Sequence, residues 1–356
     1  MKTLLLAIAL AACGPSAAVV ADAPPDASII PTSPAGSFAV TGVLDLQVLP
    51  APADALIAEL TDATDGPDDP ARFLCDRLVT ELPSSWQAIA AAVADDVVAP
   101  VLQAELNSVA PDFAPGIHAI AAGLGDLAHH ARTVETLAIQ PGGYASRTIT
   151  GVTYDDLQID FATEGMADAI ASTSVTLDAS GALSIAEHSV ELPYGRLLRL
   201  GLDREIVPNV DFSASDLSTA LADLVDCTQL GQLFAAKVGI GSVTLYATAC
   251  TAGMAALAAD VYDRLDTIDT SPFQLAMTGS AIGVDLDGDG TMDRIDSGLW
   301  TGSTSYNGAA APLADATFTG TKGPSTTSDW TSIGVRSSTS RSRLLPSRSS
   351  RVGSRR

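Results

Sequence analysis

Two hydrophobic periods divide the chain into a mostly helical first third and a strand-rich remainder. In the first third, apolar residues recur every three or four positions, which predicts amphipathic helices. The helical segments are 56–60, 73–82, 86–97 and 117–127. The acidic run 61–70 is predicted to interrupt the first helix, and Pro100 is predicted to kink or end the third.

Alternation with a period of two predicts strands elsewhere in the chain. One strand is expected at 38–47, a meander between 136 and 210, and three more strands at 273–284, 298–306 and 316–320. Turn residues at 142–143 and 178–181 separate strands of the meander. Ser213–Asp216 resembles a capping sequence and opens a helix, and 243–265 is typical of a longer, alanine-rich helix. The predicted fold class is α+β, an antiparallel β-sheet covered by amphipathic helices.

Composition supports a packed body and disfavours some partners. The 356 residues are 47% hydrophobic and only 5% aromatic, so an aliphatic core is expected and carbohydrate binding is disfavoured. Residues 322–356 hold 8 of the 19 basic residues and one acid, so this tail carries +7 and the rest of the chain −30. An acidic body repels nucleic acid and anionic lipid headgroups, and it concentrates cations. We therefore expect no nucleic-acid partner.

The N-terminus has the features of an export signal. A positive start and a short apolar stretch precede the tetrapeptide Leu-Ala-Ala-Cys that ends at Cys13, and the stretch is too short to span a bilayer. This start resembles the lipobox of bacterial lipoproteins. The resemblance implies that residues 1–12 are a signal peptide, that Cys13 is lipidated and anchors the protein in a membrane, and that Gly14 favours sorting to the outer membrane. Ordinary secretion of a soluble product, with cleavage near Ala17 or Ala18, is the alternative.

Two segments differ in composition from the predicted body, 38–321. Residues 13–37 are rich in proline and alanine, which is typical of an extended tether. Residues 322–356 are rich in serine and arginine and have no apolar face, so we expect a disordered tail. The tail is either a basic arm for an anionic polymer or lipid, or the product of a shifted reading frame in GC-rich coding sequence.

The most specific motif is the twelve-residue stretch 285–296. It has aspartate at positions 1, 3, 5, 9 and 12 and glycine, Gly290, at position 6. Ca²⁺ prefers six to eight oxygen ligands, and glycine permits the sharp turn that brings them together. The stretch resembles an EF-hand calcium loop. That resemblance implies Ca²⁺ as the cofactor and the ligands Asp285, Asp287, Asp289, Thr291 (through its backbone carbonyl), Asp293 and Asp296.

Two departures from the EF-hand pattern modify this prediction. Asp296 stands where the family usually has a bidentate glutamate, so a modest affinity is expected. The flanking segments are predicted strands rather than helices, and the stretch more closely resembles the Asp-x-Asp-x-Asp-Gly turns of extracellular bacterial β-proteins, which stabilise structure. The alternative is a solvated acidic turn. Repulsion among five neighbouring carboxylates favours the cation.

The other cysteines predict a disulfide. With Cys13 lipidated, Cys75, Cys227 and Cys250 remain, so one thiol is left over in an oxidising compartment. Cys227 ends one predicted helix and Cys250 lies early in the next, so a bond between them would join a helical hairpin. Pairing of Cys75 with either of them is the rival. Zinc is not expected, because no Cys-x-x-Cys motif is present.

The sequence gives no positive evidence for an enzyme. The histidines are dispersed apart from the pair His129 and His130, and no Gly-x-Ser-x-Gly, Ser-x-x-Lys, His-Glu-x-x-His or P-loop motif is present. The predicted function is a cell-envelope lipoprotein that binds calcium through a structural loop and has a structural or surface-binding role. The alternatives are a carrier of a lipid-like apolar ligand and a hydrolase with an unrecognised site.

Overall fold

The computed structural model describes residues 30–66, 69–85, 87, 99–239 and 241–323. The predicted signal peptide, Cys13, most of the tether, nearly all of the predicted helix at 86–97 and the tail beyond residue 323 lie outside these residues. The predictions made for those segments stay predictions.

Strands and helices alternate in blocks, as the two hydrophobic periods predict. The strands are β1 Gly36–Leu46, β2 His130–Ile139, β3 Tyr144–Tyr154, β4 Leu157–Asp160, β5 Ala169–Leu177, β6 Ala182–Leu192, β7 Phe273–Val284, β8 Arg294–Tyr306 and β9 Ala309–Lys322. The helices are α1 Ala51–Asp65, α2 Asp69–Thr80, α3 Ala99–Val109, α4 Phe113–His129, α5 Tyr194–Gly201, α6 Val207–Val210, α7 Leu217–Asp223, α8 Cys227–Val238 and α9 Val243–Ile268. A π-helical turn, Leu202–Ile206, joins α5 to α6.

All strands are antiparallel and form one sheet that closes on itself. The strand order is β2-β1-β9-β8-β7-β6-β5-β3-β4, and β2 also pairs with β3. The mixed α+β class and the antiparallel sheet are therefore confirmed. The sequence predicts an open sheet covered by helices, whereas the observed sheet closes on itself. In a closed sheet, the inward face of each strand packs against the opposite wall, so helices are not needed to cover it.

The helices occupy two insertions that leave the same end of the closed sheet. One insertion joins β1 to β2 and contains α1–α4, and the other joins β6 to β7 and contains α5–α9. Because β1 and β6 run in the same direction, both insertions start at one end, which we call the helical end. The opposite end carries the short turns 140–143, 178–181 and 285–293, and we call it the turn end.

Helical spacing correctly predicts the buried face of α4. Ile117, Ile120 and Leu124 are each at most 1% exposed and belong to the main core. The predicted cap before α7 is also present, because the Asp216 side chain accepts a hydrogen bond from the Thr219 amide.

Some predicted boundaries are wrong for local reasons. The acidic run does interrupt the first helix, as predicted, but α1 continues into the run and ends at Asp65, before Gly66. The predicted helix at 86–97 lies almost wholly outside the described residues, which resume with Ala99 and Pro100 in α3, so the end or kink predicted at Pro100 stays a prediction. Strands β8 and β9 are longer than predicted because Ser297 and Asp315, at φ 52° and 45°, interrupt the alternation near register shifts in the pairing.

Candidate metal centre

The acidic stretch begins as the turn between β7 and β8. Val284 is the last residue of β7 and pairs with Arg294, the first residue of β8. The sheet therefore holds both ends of the turn. The flanks are strands, as the sequence predicts.

The turn is closed by hydrogen bonds to its own carboxylates. Asp285 is 1% exposed, and its two oxygens accept from the amides of Gly288 at 2.7 Å and Gly290 at 2.8 Å. Asp289 accepts from the amide of Thr291 at 2.7 Å and from its hydroxyl at 2.6 Å. Gly288 and Gly290 have φ of 79° and 86°, a left-handed conformation that residues with a side chain rarely adopt.

Three of the predicted ligands converge. Asp285, Asp287 and Asp289 each offer a carboxylate oxygen, and these oxygens lie within 4.8 Å of one another. Two oxygens that each bind one ion at about 2.4 Å are at most about 4.8 Å apart. The three carboxylates could therefore hold a metal ion between them.

The two later aspartates have cationic partners instead. Asp293 accepts from the Leu286 amide at 2.9 Å and lies 3.3 Å from the Lys322 ammonium. Asp296 lies in β8 and pairs with Arg294 at 2.7 Å. The convergent group does not include either residue. Their coordination of an ion, and that of the Thr291 carbonyl, stays a prediction.

The electrostatics of the turn keep one ligand ionised. Hydrogen bonds from the hydroxyl and the amide of Thr291 lower the pKa of Asp289 below its usual 3.8, and the nearby Lys322 cation lowers it further. Lys322 also donates to the Thr291 hydroxyl at 2.7 Å, so a cation already lies at the edge of the group. A carboxylate that is charged at neutral pH is the ligand that a hard divalent cation prefers.

A segment that the sequence assigned to the tether forms part of the site. The Gly290 carbonyl accepts from the amides of Thr32 at 2.9 Å and Ser33 at 3.1 Å, and the Met292 amide donates to the Ser33 carbonyl at 3.0 Å. The turn is thus held by β7 and β8 at its ends and by hydrogen bonds to Thr32 and Ser33, which precede β1. No local sequence signal indicates this contact, because the two segments are far apart along the chain.

Function has to be inferred from the chemistry of the site. No protein-family model, curated protein sequence or solved structure matches this chain. Within the residues that the structure describes, none of the helices combines the length and the hydrophobicity needed to cross a membrane.

The predicted disulfide is confirmed. Cys227, the first residue of α8, is bonded to Cys250 in α9, with the two Cα atoms 5.5 Å apart. The bond joins the helical hairpin at the helical end. Cys75 is buried in α2.

A second polar cluster lies inside the closed sheet and was missed at the sequence level. Arg147 Nε lies 2.6 Å from one oxygen of Glu135, and its Nη2 donates to the other at 2.7 Å; both side chains are 1% exposed. Arg147 also contacts His188 Nε2 at 3.2 Å and lies over the Trp300 ring, 4.3 Å from its centroid. Trp300 Nε1 is the one buried side-chain nitrogen or oxygen in the described part of the chain that has no hydrogen-bond partner.

This cluster predicts acid sensitivity. Burial lowers the pKa of His188 below its ordinary 6.5, and the Arg147 cation lowers it further; the hydrogen bond with the Ala186 carbonyl and the Glu135 charge oppose this shift without cancelling it. The unfolded chain therefore takes up this proton at a higher pH than the folded one, so stability falls as the pH drops below 6.5. We expect the free energy of unfolding, measured with urea between pH 7.5 and pH 5, to depend less on pH in His188→Gln than in the wild type. The exposed control His118→Gln should keep the wild-type dependence; equal slopes in all three proteins would contradict this prediction.

A small apolar cavity lies between the closed sheet and the helices beside it. Its lining includes Leu44, Leu127, Tyr194 and Phe273, and its space amounts to about 30 Å³. That is roughly the volume of one water molecule, whereas pockets for small organic ligands measure about 300–1,000 Å³. The lipid-carrier alternative gains no support from this cavity.

Proposed function

We propose that this chain is a cell-envelope lipoprotein that binds Ca²⁺ in the turn 285–296 and uses the ion to stabilise the turn end of its sheet. The convergence of three carboxylate oxygens from Asp285, Asp287 and Asp289 carries the metal-binding part of the proposal. The resemblance of the residues before Cys13 to a lipobox supports the location.

The donor set favours calcium over softer or smaller ions. It offers carboxylate oxygens and no sulfur or imidazole, which disfavours zinc and copper. Mg²⁺ demands a near-ideal octahedron at about 2.0–2.1 Å, whereas Ca²⁺ accepts irregular shells at about 2.3–2.6 Å. Three protein carboxylates leave several positions for water. A dissociation constant of about 10⁻⁴ to 10⁻³ M, typical of extracellular modules, is therefore expected.

The position of the turn supports a structural role. An ion held by the three carboxylates would cancel their mutual repulsion at the junction of β7, β8 and the segment 30–35. The ammonium of Lys322 lies beside Asp293 and partly neutralises the site already. Calcium is therefore expected to strengthen a turn that is formed without it.

Calcium should raise the melting temperature. At 10 mM Ca²⁺ and the expected affinity, linkage gives a stabilisation of about 1.4–2.7 kcal/mol. For a body of this size that corresponds to a rise of roughly 2–5 °C, which EGTA should reverse. Thermal unfolding followed by circular dichroism, together with a calcium titration by calorimetry, measures both quantities.

Two aspartate variants provide the matched comparison. Asp287→Asn removes one of the three converging charges at an exposed position. It should abolish both the heat of calcium binding and the rise in melting temperature. Asp178→Asn alters another aspartate at the turn end, whose oxygen also closes a turn but lies outside the metal group, and should leave both unchanged. A wild-type protein with no calcium heat and no shift would refute the proposed function.

A further inference from the structure

Lys322, the last residue of β9, lies at the edge of the acidic turn. Its backbone amide donates to the Asp293 carbonyl at 2.7 Å, so the sheet fixes its position. Its ammonium donates to the Thr291 hydroxyl at 2.7 Å and lies 3.3 Å from a carboxylate oxygen of Asp293. The Thr291 hydroxyl in turn donates to Asp289 at 2.6 Å. The ammonium is therefore two hydrogen bonds away from a carboxylate of the convergent group.

The ion pair between Lys322 and Asp293 is partly shielded from water. The two side chains are 28% and 19% exposed, whereas Lys237, at the helical end, is 44% exposed and lies 3.9 Å from Glu105. Solvent and salt screen a shielded pair less than an open one. The folded protein thus already places one cation against the acidic turn, an observation that is independent of the spacing of the aspartates.

The ammonium and a divalent ion would make use of the same negative groups. An ion held by the convergent carboxylates would be repelled by the positive charge of Lys322. For a double and a single charge about 6–7 Å apart in a medium as polar as water, this repulsion corresponds to roughly a tenfold loss of affinity. Asp293 is in addition less available as a further ligand while it is paired with the ammonium.

We propose that Lys322 determines the affinity of the calcium site, because its ammonium competes with the ion for the negative charge of the acidic turn and for Asp293. This inference rests on the proposed calcium binding and adds the residue that regulates that site. Lys322 neutralises the turn where calcium is scarce, and the ion takes over this role where calcium is abundant.

Calorimetric titration of charge variants with calcium chloride, at constant ionic strength, tests the proposal. Lys322→Met removes the charge and should raise the calcium affinity about tenfold, and the neutral Lys322→Gln should shift it in the same direction. Lys322→Arg keeps the charge and should stay within about twofold of the wild type. Lys237→Met removes the same charge at the helical end and should leave the affinity unchanged.

Thermal unfolding gives a readout that a purely structural role would not change. Without calcium, Lys322→Met should melt below the wild type, because the repulsion among the carboxylates is no longer offset. The rise in melting temperature caused by calcium should be larger in this variant, because a tighter site gives more stabilisation at the same calcium concentration. If Lys322 only stabilised the fold, the variant would melt lower by the same amount with and without calcium.

The outcomes separate the role of Lys322 from the calcium site itself. Unchanged affinity in Lys322→Met, or an equal rise in Lys322→Arg or Lys237→Met, would overturn the competition and leave the calcium site intact. A heat of calcium binding in Lys322→Met but not in the wild type would support the competition and refute the proposed function. If neither protein gave such a heat, both proposals would fail.

Discussion

Replacing Arg147 by methionine is expected to lower the free energy of unfolding by about 3–5 kcal/mol. The substitution keeps an unbranched apolar stem but leaves the Glu135 carboxylate, 1% exposed, without its cation inside the closed sheet. An unpaired buried charge is among the costliest defects in a core. Urea denaturation monitored by far-ultraviolet circular dichroism gives the change directly.

Two controls distinguish charge from packing. Adding Glu135→Gln to Arg147→Met removes both charges and should recover much of the loss, because neutral groups are cheaper to bury. Arg199→Met breaks an ion pair with Asp266 whose partners are 41% and 53% exposed, and should cost about 1 kcal/mol or less. If the three variants lost equal stability, the buried pair would have no special role.

Removing the disulfide is expected to have the second-largest effect. Cys227 and Cys250 are separated by 23 residues, and opening a loop of this length costs about 3 kcal/mol through the entropy of the unfolded chain. Cys227→Ala combined with Cys250→Ala should therefore unfold at a lower urea concentration than the wild type.

A reducing agent provides the internal comparison. Dithiothreitol should destabilise the wild type by a similar amount and leave the double variant unchanged, since Cys75 is present in both proteins. If reduction left the free energy of unfolding of the wild type unchanged, the disulfide would not stabilise the protein as predicted. The same experiment reports whether the α8–α9 hairpin unfolds with the rest of the body.

Local patterns predicted the elements well, for physical reasons. Period-two alternation located β7 at its observed bounds, because its inward residues pack in the core and its outward ones face solvent. The same pattern failed to predict the full lengths of β8 and β9. Bulges at Ser297 and Asp315 add one residue, so that the residues after them point to the opposite side of the sheet from the one that alternation predicts. Closure of the sheet depends on pairing between the first and last strands, which no local pattern encodes.

The candidate site was predictable where its geometry is local. Aspartates two residues apart in a glycine-containing turn point at one centre, so spacing alone located Asp285, Asp287 and Asp289. The partners of the turn that lie far away in sequence, Ser33 and Lys322, could not be inferred.

The buried ion pair could have been predicted from the sequence. Glu135 shares the inward side of β2 with Leu137, and Arg147 shares the inward side of β3 with Ile149. Opposite charges at the apolar positions of two successive strands indicate a pair inside the core, because neither charge is stable there alone.

The pairing of β1 with β9 also governs how the molecule is assembled. Strand β1 is among the first parts of the body to be synthesised, yet one of its two edges stays unpaired until the residues up to Lys322 have emerged. Contacts of such high sequence separation slow folding, and an incomplete chain would offer a free edge to other chains. Premature termination within β9 should therefore yield aggregates rather than a shortened, native-like body.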